Sequence, residues 1–183
     1  MNFEISNQVV DTVFKVLIDG SKQDYIGEKI SQLEHSLQAA AQALETSKVF
    51  LFYYDYYLYN NVGVTGHERI GAEYLRKLGF SNKVAQLVES HVPVKRYLTG
   101  KDHSYYESLS GASKLSLKYQ GGPFTSEQVK EFEEDPLFEL KVQVRKWDDA
   151  AKVVGLEVPD LESYRQMAVN HLMKQDKVAT ALA

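Results

Sequence analysis

The apolar positions of this chain recur at helical steps along most of its length. Between Asp24 and about Leu44, Ile26, Ile30, Leu33, Leu37, Ala41 and Leu44 fall three or four residues apart, the stripe of one long helix. "TGHE" at Thr65 has the Ser/Thr-x-x-Glu form of a capping box. It predicts a helix with Ile70, Tyr74, Leu75 and Leu78 inward, closed by Gly79 in the left-handed conformation. Ser81 is placed to cap the next helix, whose stripe is Val84, Leu87, Val88 and His91 and which closes at Pro93. Further helices are expected through Tyr105 to Tyr119, ending at the "QGGP" turn, and from "TSEQ" at Thr125. The last two run from about Leu137 to Val154 and from Leu161 to Met173, separated by "VPD". The fold class is therefore all-α. A single domain spans 1–183, with its core over about 24–173 and a frayed tail at 174–183.

One segment does not fit. Val49 to Tyr59, "VFLFYYDYYLY", has five tyrosines and two phenylalanines in a strand-like composition, inside a chain that otherwise reads as helix. Local preference that contradicts its surroundings marks a functional or a damaged place.

Composition narrows the possible chemistry. With 183 residues, 44% hydrophobic and 25% charged, the chain can bury a substantial core. Its net charge of -4 with scattered basic residues offers no footprint for nucleic acid, and no basic amphipathic helix points to a membrane surface. There is no cysteine, so any metal must be held by His, Asp, Glu or Tyr. "MNFEISNQVV" lacks the layout of a signal peptide, and the aromatic segment is too short, and broken by Asp55, to span a bilayer. A cytoplasmic protein is expected.

At about 100° of turn per residue, His67 lies mid-face among Ile70, Tyr74 and Leu78, and His91 completes the stripe of the following helix. A single inward histidine is usually a satisfied core residue; two on consecutive helices form the kind of pair from which bundles build metal sites. His35 lies nearly opposite the stripe of its own helix, which is the solvent side on pattern alone, although the small residues Ala39 and Ala43 would allow that face to be covered. Asp148 sits at the edge of the stripe Leu137, Leu140, Val144, Trp147, Ala151, one turn after Arg145. That pair reads either as an ordinary i, i+3 ion pair or as a carboxylate ligand beside an anion-binding arginine. Lys95 and Arg96 read as surface charge, with Lys95 placed to bring a cation near a metal-bound anion. His103 and His171 fall on loop or tail-end positions and take no role.

Taken in order, "DYIGEKISQLEHSLQ", "HERIGAEYLRKLGFSNKVAQLVESHV", "KRYL", "LSGAS", "YQGGP" and "RKWDDAAK" resemble the HD-domain mixed-valent di-iron oxygenases, specifically the branch that cleaves the carbon–phosphorus bond of 2-amino-1-hydroxyethylphosphonate. The strings cover most of Asp24 to Lys152. The resemblance implies an HD-domain helical bundle, two irons per chain, a small phosphonate substrate and dioxygen. It makes His35 and Asp148 ligands of the first iron and His67 and His91 ligands of the second. It gives Lys95, Ser113 and Arg145 the phosphonate group, and Tyr25 and Glu28 the guarding of the second iron until substrate arrives.

The chain departs from the family between His35 and His67, where the family carries an adjacent His-Asp and a further His; no His-Asp dipeptide occurs here. Asp55 is the nearest substitute for the aspartate that bridges the two irons, and Leu58 stands near the place of the later histidine. Reduced or absent iron occupancy and impaired catalysis are therefore expected. Three readings stay open: an oxygenase using Asp55 in a rearranged site, a non-catalytic HD-like binding module, and a metal-dependent phosphohydrolase.

Two origins of the aromatic segment also stay open. Val, Phe, Leu, Tyr and Asp can all be written in T- and A-rich codons, and Lys48-Val49 can encode AAG followed by GT, the form of a splice donor. A translated intron standing for a lost exon predicts a mature transcript from which this stretch is spliced out. A mature message that encodes "VFLFYYDYYLY" selects genuine divergence instead.

Overall fold

Polar side chains set where the helices begin, and apolar faces set how they pack. A computed structural model describes residues 1–21, 29–47 and 66–181; among these the chain is all-α, with ten α-helices, one 3-10 helix and no strand. They are α1 (Phe3–Gly20), α2 (Gln32–Ser47), α3 (His67–Lys77), α4 (Asn82–Glu89), α5 (His91–Lys101), α6 (His103–Ser108), α7 (Gly111–Tyr119), α8 (Ser126–Glu133), α9 (Phe138–Ala150) and α10 (Arg165–Ala181). The 3-10 turn Leu161–Tyr164 leads into α10. No described helix is long and apolar enough to cross a membrane.

Caps explain most departures from the pattern of apolar residues. The stripe that begins at Ile26 does not make one helix from Asp24, because Ser31 and Glu34 form a reciprocal pair. Ser31 N donates to Glu34 Oε2 (2.6 Å) and Glu34 N to Ser31 Oγ (3.2 Å), and α2 starts immediately after. The span Tyr105 to Tyr119 is two helices: Leu109 is extended, and Ser110 caps α7 by accepting from Ser113 N. Ser81 caps α4 as expected, and Thr125 with Gln128 forms the full capping box of α8. Pro93 does not end a helix. The break comes at Ser90, and Pro93 falls in the first turn of α5, where a missing N–H costs no hydrogen bond.

The start of α3 differs too. Its N-cap is Gly66 in the left-handed region (φ 81°) with no side-chain cap, and Thr65 lies outside the described residues. The helix buries His67, Gly71, Ala72 and Leu75, and the small pair lets it lie close on α4. Ile70, expected inward, is turned out and 41% exposed. Gly79 takes the left-handed conformation expected of it, at φ 91°.

A helix that the pattern did not single out, α1, supplies much of the core. Its Val10, Val13, Phe14 and Leu17 pack with Leu75, Val84, Val88, Val169 and Leu172 from α3, α4 and α10. The last helix continues past Met173 to Ala181 and lies along α1. A second cluster, Ala43, Leu87, Val144 and Trp147, joins α2, α4 and α9. Thus α2 is covered on two sides, by α1 and by α9.

Helix α5 is surrounded by α6, α7, α8 and α9. Arg96, expected at the surface, clamps the "QGGP" turn: Nε donates to the Gly122 carbonyl (2.8 Å) and Nη2 to that of Gly121 (3.1 Å), while Phe124 N donates to the Arg96 carbonyl (2.9 Å). Gly121 is needed twice over, for its φ of 98° and because a Cβ would lie 3.2 Å from the guanidinium. Gly100 lets the same turn approach α5, since a Cβ there would sit 2.4 Å from the Phe124 carbonyl oxygen. Gly100→Ala is expected to cost about 1–3 kcal/mol in urea unfolding, the range for overpacking a filled site. An unchanged midpoint would show that the turn moves aside freely.

Candidate functional site

The face of α2 that the pattern assigned to solvent is the one most deeply buried. Gln32, His35, Gln38, Ala39 and Ala43 are all buried, whereas Leu33, Leu37 and Leu44 are half-buried. The reason is polar pairing with the chain that leaves α9. His35 Nδ1 donates to the Ala151 carbonyl (2.7 Å); one turn on, Gln38 Nε2 donates to the Val153 carbonyl (2.8 Å) and Gln38 Oε1 accepts from Val153 N (3.0 Å). Ala39 and Ala43 let the helices come close enough for these bonds to form.

His35 has its tautomer fixed by that contact, because a carbonyl only accepts and Nδ1 must therefore carry hydrogen. Nε2 then faces Asp148 Oδ1 at 2.7 Å, with both side chains shut off from water. Two lone pairs at that distance repel. The contact is closed by a proton on Nε2, giving an imidazolium and a carboxylate, or by a metal ion drawing on both donors.

Asp148 is the hub. Its other oxygen, Oδ2, is buried and accepts no hydrogen bond; it lies 3.4 Å from Arg145 Nη1 and 3.9 Å from His91 Nδ1. Burial alone would raise the carboxyl pKa, but the Arg145 guanidinium, helped by the hydrogen bond from His35, outweighs it and holds Asp148 well below the carboxylate range. His91 moves the opposite way in charge. Burial pushes its pKa well below the usual imidazole value, Asp148 opposes that, and the cations Arg145 and Lys95 reinforce it together with His67. A neutral ring with a lone pair to give is the result.

The remaining residues gather around His91. The break at Ser90 makes His91 the first residue of α5 rather than the last of the α4 stripe, and its ring centroid lies 5.8 Å from that of His67 at the head of α3. Glu68 Oε2 is closed to solvent 3.7 Å from His67 Nδ1. Lys95, one turn along α5, is buried, and Nζ donates to Ser116 Oγ (2.8 Å). Ser113, one turn earlier on α7, is half-buried and gives its backbone N–H to the Ser110 cap.

His35, His91, Asp148 and Arg145 are thus brought together, with His67 and Lys95 alongside. Tyr25, Glu28 and Asp55 lie outside the described residues. Ser116, Tyr105 and Asp149 are additions. Arg145 Nη2 donates to Asp149 Oδ1 (2.7 Å), Arg145 Nε to the Tyr105 hydroxyl (3.1 Å), and that hydroxyl to Asp149 Oδ2 (2.6 Å). The i, i+4 spacing of Arg145 and Asp149 was readable in the sequence; Tyr105 gives no such signal. Of the two histidines given no role, His103 is exposed, and His171 accepts from Ser81 N (3.2 Å) and stacks on Phe80. His35 and Asp148 are the two donors a metal could draw on together, being in direct contact. Among the described residues, however, no three His, Asp or Glu side chains converge closely enough to hold an ion.

No protein-family model matches the chain, whereas individual proteins do. It is 36% identical over 171 residues to hydroxymethylphosphonate dioxygenase of Gimesia maris, covering 85% of this chain and 84% of that one. It is 32% identical over 159 residues to [1-hydroxy-2-(trimethylamino)ethyl]phosphonate dioxygenase (glycine-betaine-forming) of Leisingera caerulea, covering 79% and 81%. An uncharacterized protein of Acanthamoeba polyphaga mimivirus is 33% identical over 186 residues, covering 93% and 85%. The chain belongs to the HD-domain phosphonate dioxygenase-like family. The overlap with these phosphonate dioxygenase-like proteins takes in most of each chain.

Removing one partner from a buried charge network leaves the others uncompensated, at a cost of about 3–5 kcal/mol. Asp148→Ala is expected to lose stability of that order in urea unfolding, while His103→Ala at the surface stays within about 0.5 kcal/mol of the parent. An Asp148→Ala chain as stable as the parent would show that His35 and Arg145 find other partners.

Proposed function

We propose that this chain is an oxygen-dependent protein of the phosphonate-cleaving type, acting on a small 1-hydroxyphosphonate to release phosphate, with a rate impaired by the missing His-Asp dyad. The observation that carries this reading is the buried convergence of His35, His91 and Arg145 on Asp148, with Lys95 acting on the same His91 ring. Histidine and carboxylate donors beside a pair of cations suit a substrate that is both chelating and anionic. The names of the relatives from Gimesia maris and Leisingera caerulea support the same chemistry.

In this reading His35 and Asp148 would hold one iron and His67 and His91 a second position. Iron, when bound, supplies the redox chemistry through which dioxygen reacts at the carbon bearing phosphorus. Lys95 and Arg145 neutralise the phosphonate, and the Lys95 ammonium is kept in place by Ser116. Ser113 adds a hydroxyl from α7, and Tyr25 and Glu28 guard the second position. The family's His-Asp dyad is absent, and Asp55 is the nearest substitute for its aspartate. Fewer than two irons are therefore held.

Metal analysis of protein purified without oxygen in the presence of ferrous iron, beside a His67→Ala, His91→Ala double variant, tests this. The expected content is about one iron per chain, held at the His67–His91 position with Asp55 or Asp148 as its carboxylate and lost in the double variant, because His35 and Asp148 alone are too few ligands to keep a labile metal. Oxygen-dependent phosphate release from hydroxymethylphosphonate should be slower than that of the Gimesia maris protein assayed in parallel. Two irons and an equal rate would overturn the impairment. Iron no higher than in the double variant, with no turnover, would select the binding module, and phosphate freed from an ester without oxygen would select a hydrolase.

A further inference from the structure

The ring of hydrogen bonds around Arg145 does more than tie two helices together. We propose that Tyr105 and Asp149 are positioning residues that hold the Arg145 guanidinium in the orientation that presents its Nη1 end to a tetrahedral oxyanion beside His91. This rests on the anion-binding role given above to Arg145 and extends it to two residues that bond to it.

The geometry of the guanidinium carries the argument. Its side edge, Nε and Nη2, is fully engaged: Nε donates to the Tyr105 hydroxyl (3.1 Å) and Nη2 to Asp149 Oδ1 (2.7 Å). The Tyr105 hydroxyl passes its own single hydrogen to Asp149 Oδ2 (2.6 Å), so its lone pair is left to face Nε. The three bonds close a ring whose direction is set at every step. None of them can be reversed, because a guanidinium has no acceptor and a carboxylate no donor.

With the side edge fixed, the opposite end points inward. Nη1 lies 3.4 Å from His91 Nε2 and 3.4 Å from Asp148 Oδ2. Arginine is a long, flexible side chain, and a flat fork binds oxyanions well only when its plane is set in advance. Arg145 itself is buried, whereas the side chain of Asp149 is 28% exposed and that of Tyr105 half-buried, so the ring braces the guanidinium from its outer side. Tyr105 comes from α6, a helix of six residues whose place is set by its contact with α5, and Asp149 follows Arg145 by one turn on α9. Burial raises the Tyr105 hydroxyl above its ordinary pKa and keeps it a donor throughout the neutral range. An incoming phosphonate oxygen shares the Nη1 end with His91 and Asp148 and does not compete with Asp149 for the braced edge.

The test is calorimetric titration of methylphosphonate into the full-length protein supplied with manganese(II), a redox-silent divalent ion. Helix content and thermal midpoint are recorded for every variant. Tyr105→Phe is expected to weaken binding about tenfold, the usual scale for loss of a charge-assisted bond, with helix content unchanged. Asp149→Asn, nearly isosteric, should weaken it in the same direction and covers the case in which Tyr105→Phe folds poorly. In an Arg145→Ala background, Tyr105→Phe should change affinity by less than about twofold, because its effect runs through the guanidinium. Unchanged affinity in Tyr105→Phe, or an equal loss with and without Arg145, would overturn the assignment and leave a purely structural ring. If the unsubstituted chain fails to bind methylphosphonate, the anion-binding reading of Arg145 falls first and takes this proposal with it.

Discussion

A carboxylate taken out of water must be matched by hydrogen bonds or charge, and Asp148 imposes that demand on the centre of this molecule. The residue is 1% exposed and ionised, with a histidine on one oxygen and an arginine near the other. Meeting that demand brings together α2, α5 and α9. The polar side of α2 turns toward α9 because His35 and Gln38 find backbone partners there, the break at Ser90 sets His91 at the head of α5, and Arg145 arrives one turn before Asp148.

Such a network is a poor source of stability, since desolvating its charges offsets most of what their attraction returns. The fold is held instead by the two apolar clusters: that of α1, α3, α4 and α10, and that of Ala43, Leu87, Val144 and Trp147. Helix α4 belongs to both, and α2 lies between α1 and α9. A polar centre kept in place by apolar packing elsewhere is what a pre-organised site requires. The chain belongs to the phosphonate dioxygenase-like family and contains no His-Asp dipeptide.

How far the sequence could be read varied with the kind of signal. His67 and His91 were legible as inward because apolar neighbours at helical spacing mark the buried side of a helix. His35 was not, because in a helix packed on two sides the second buried side can carry polar residues, which look like surface. Ser31-x-x-Glu34 was present as a capping signal but was overrun by the apolar stripe that crosses it. Tyr105 and Ser116 left no trace: each meets its partner across a helix packing, and a bond between residues twenty or forty apart has no periodicity.

By itself the sequence determined the all-helical class, about half of the helix starts, the inward pair of histidines and the absence of the His-Asp dyad, because capping, apolar period and residue identity act over a few neighbouring positions. Only the tertiary structure decided that the polar side of α2 is interior, that His91 opens a helix instead of closing one, and that Arg145 is braced by Tyr105 and Asp149. Those outcomes depend on which helix lies against which, and that is settled by packing and by the need of a buried charge for partners distant in the chain.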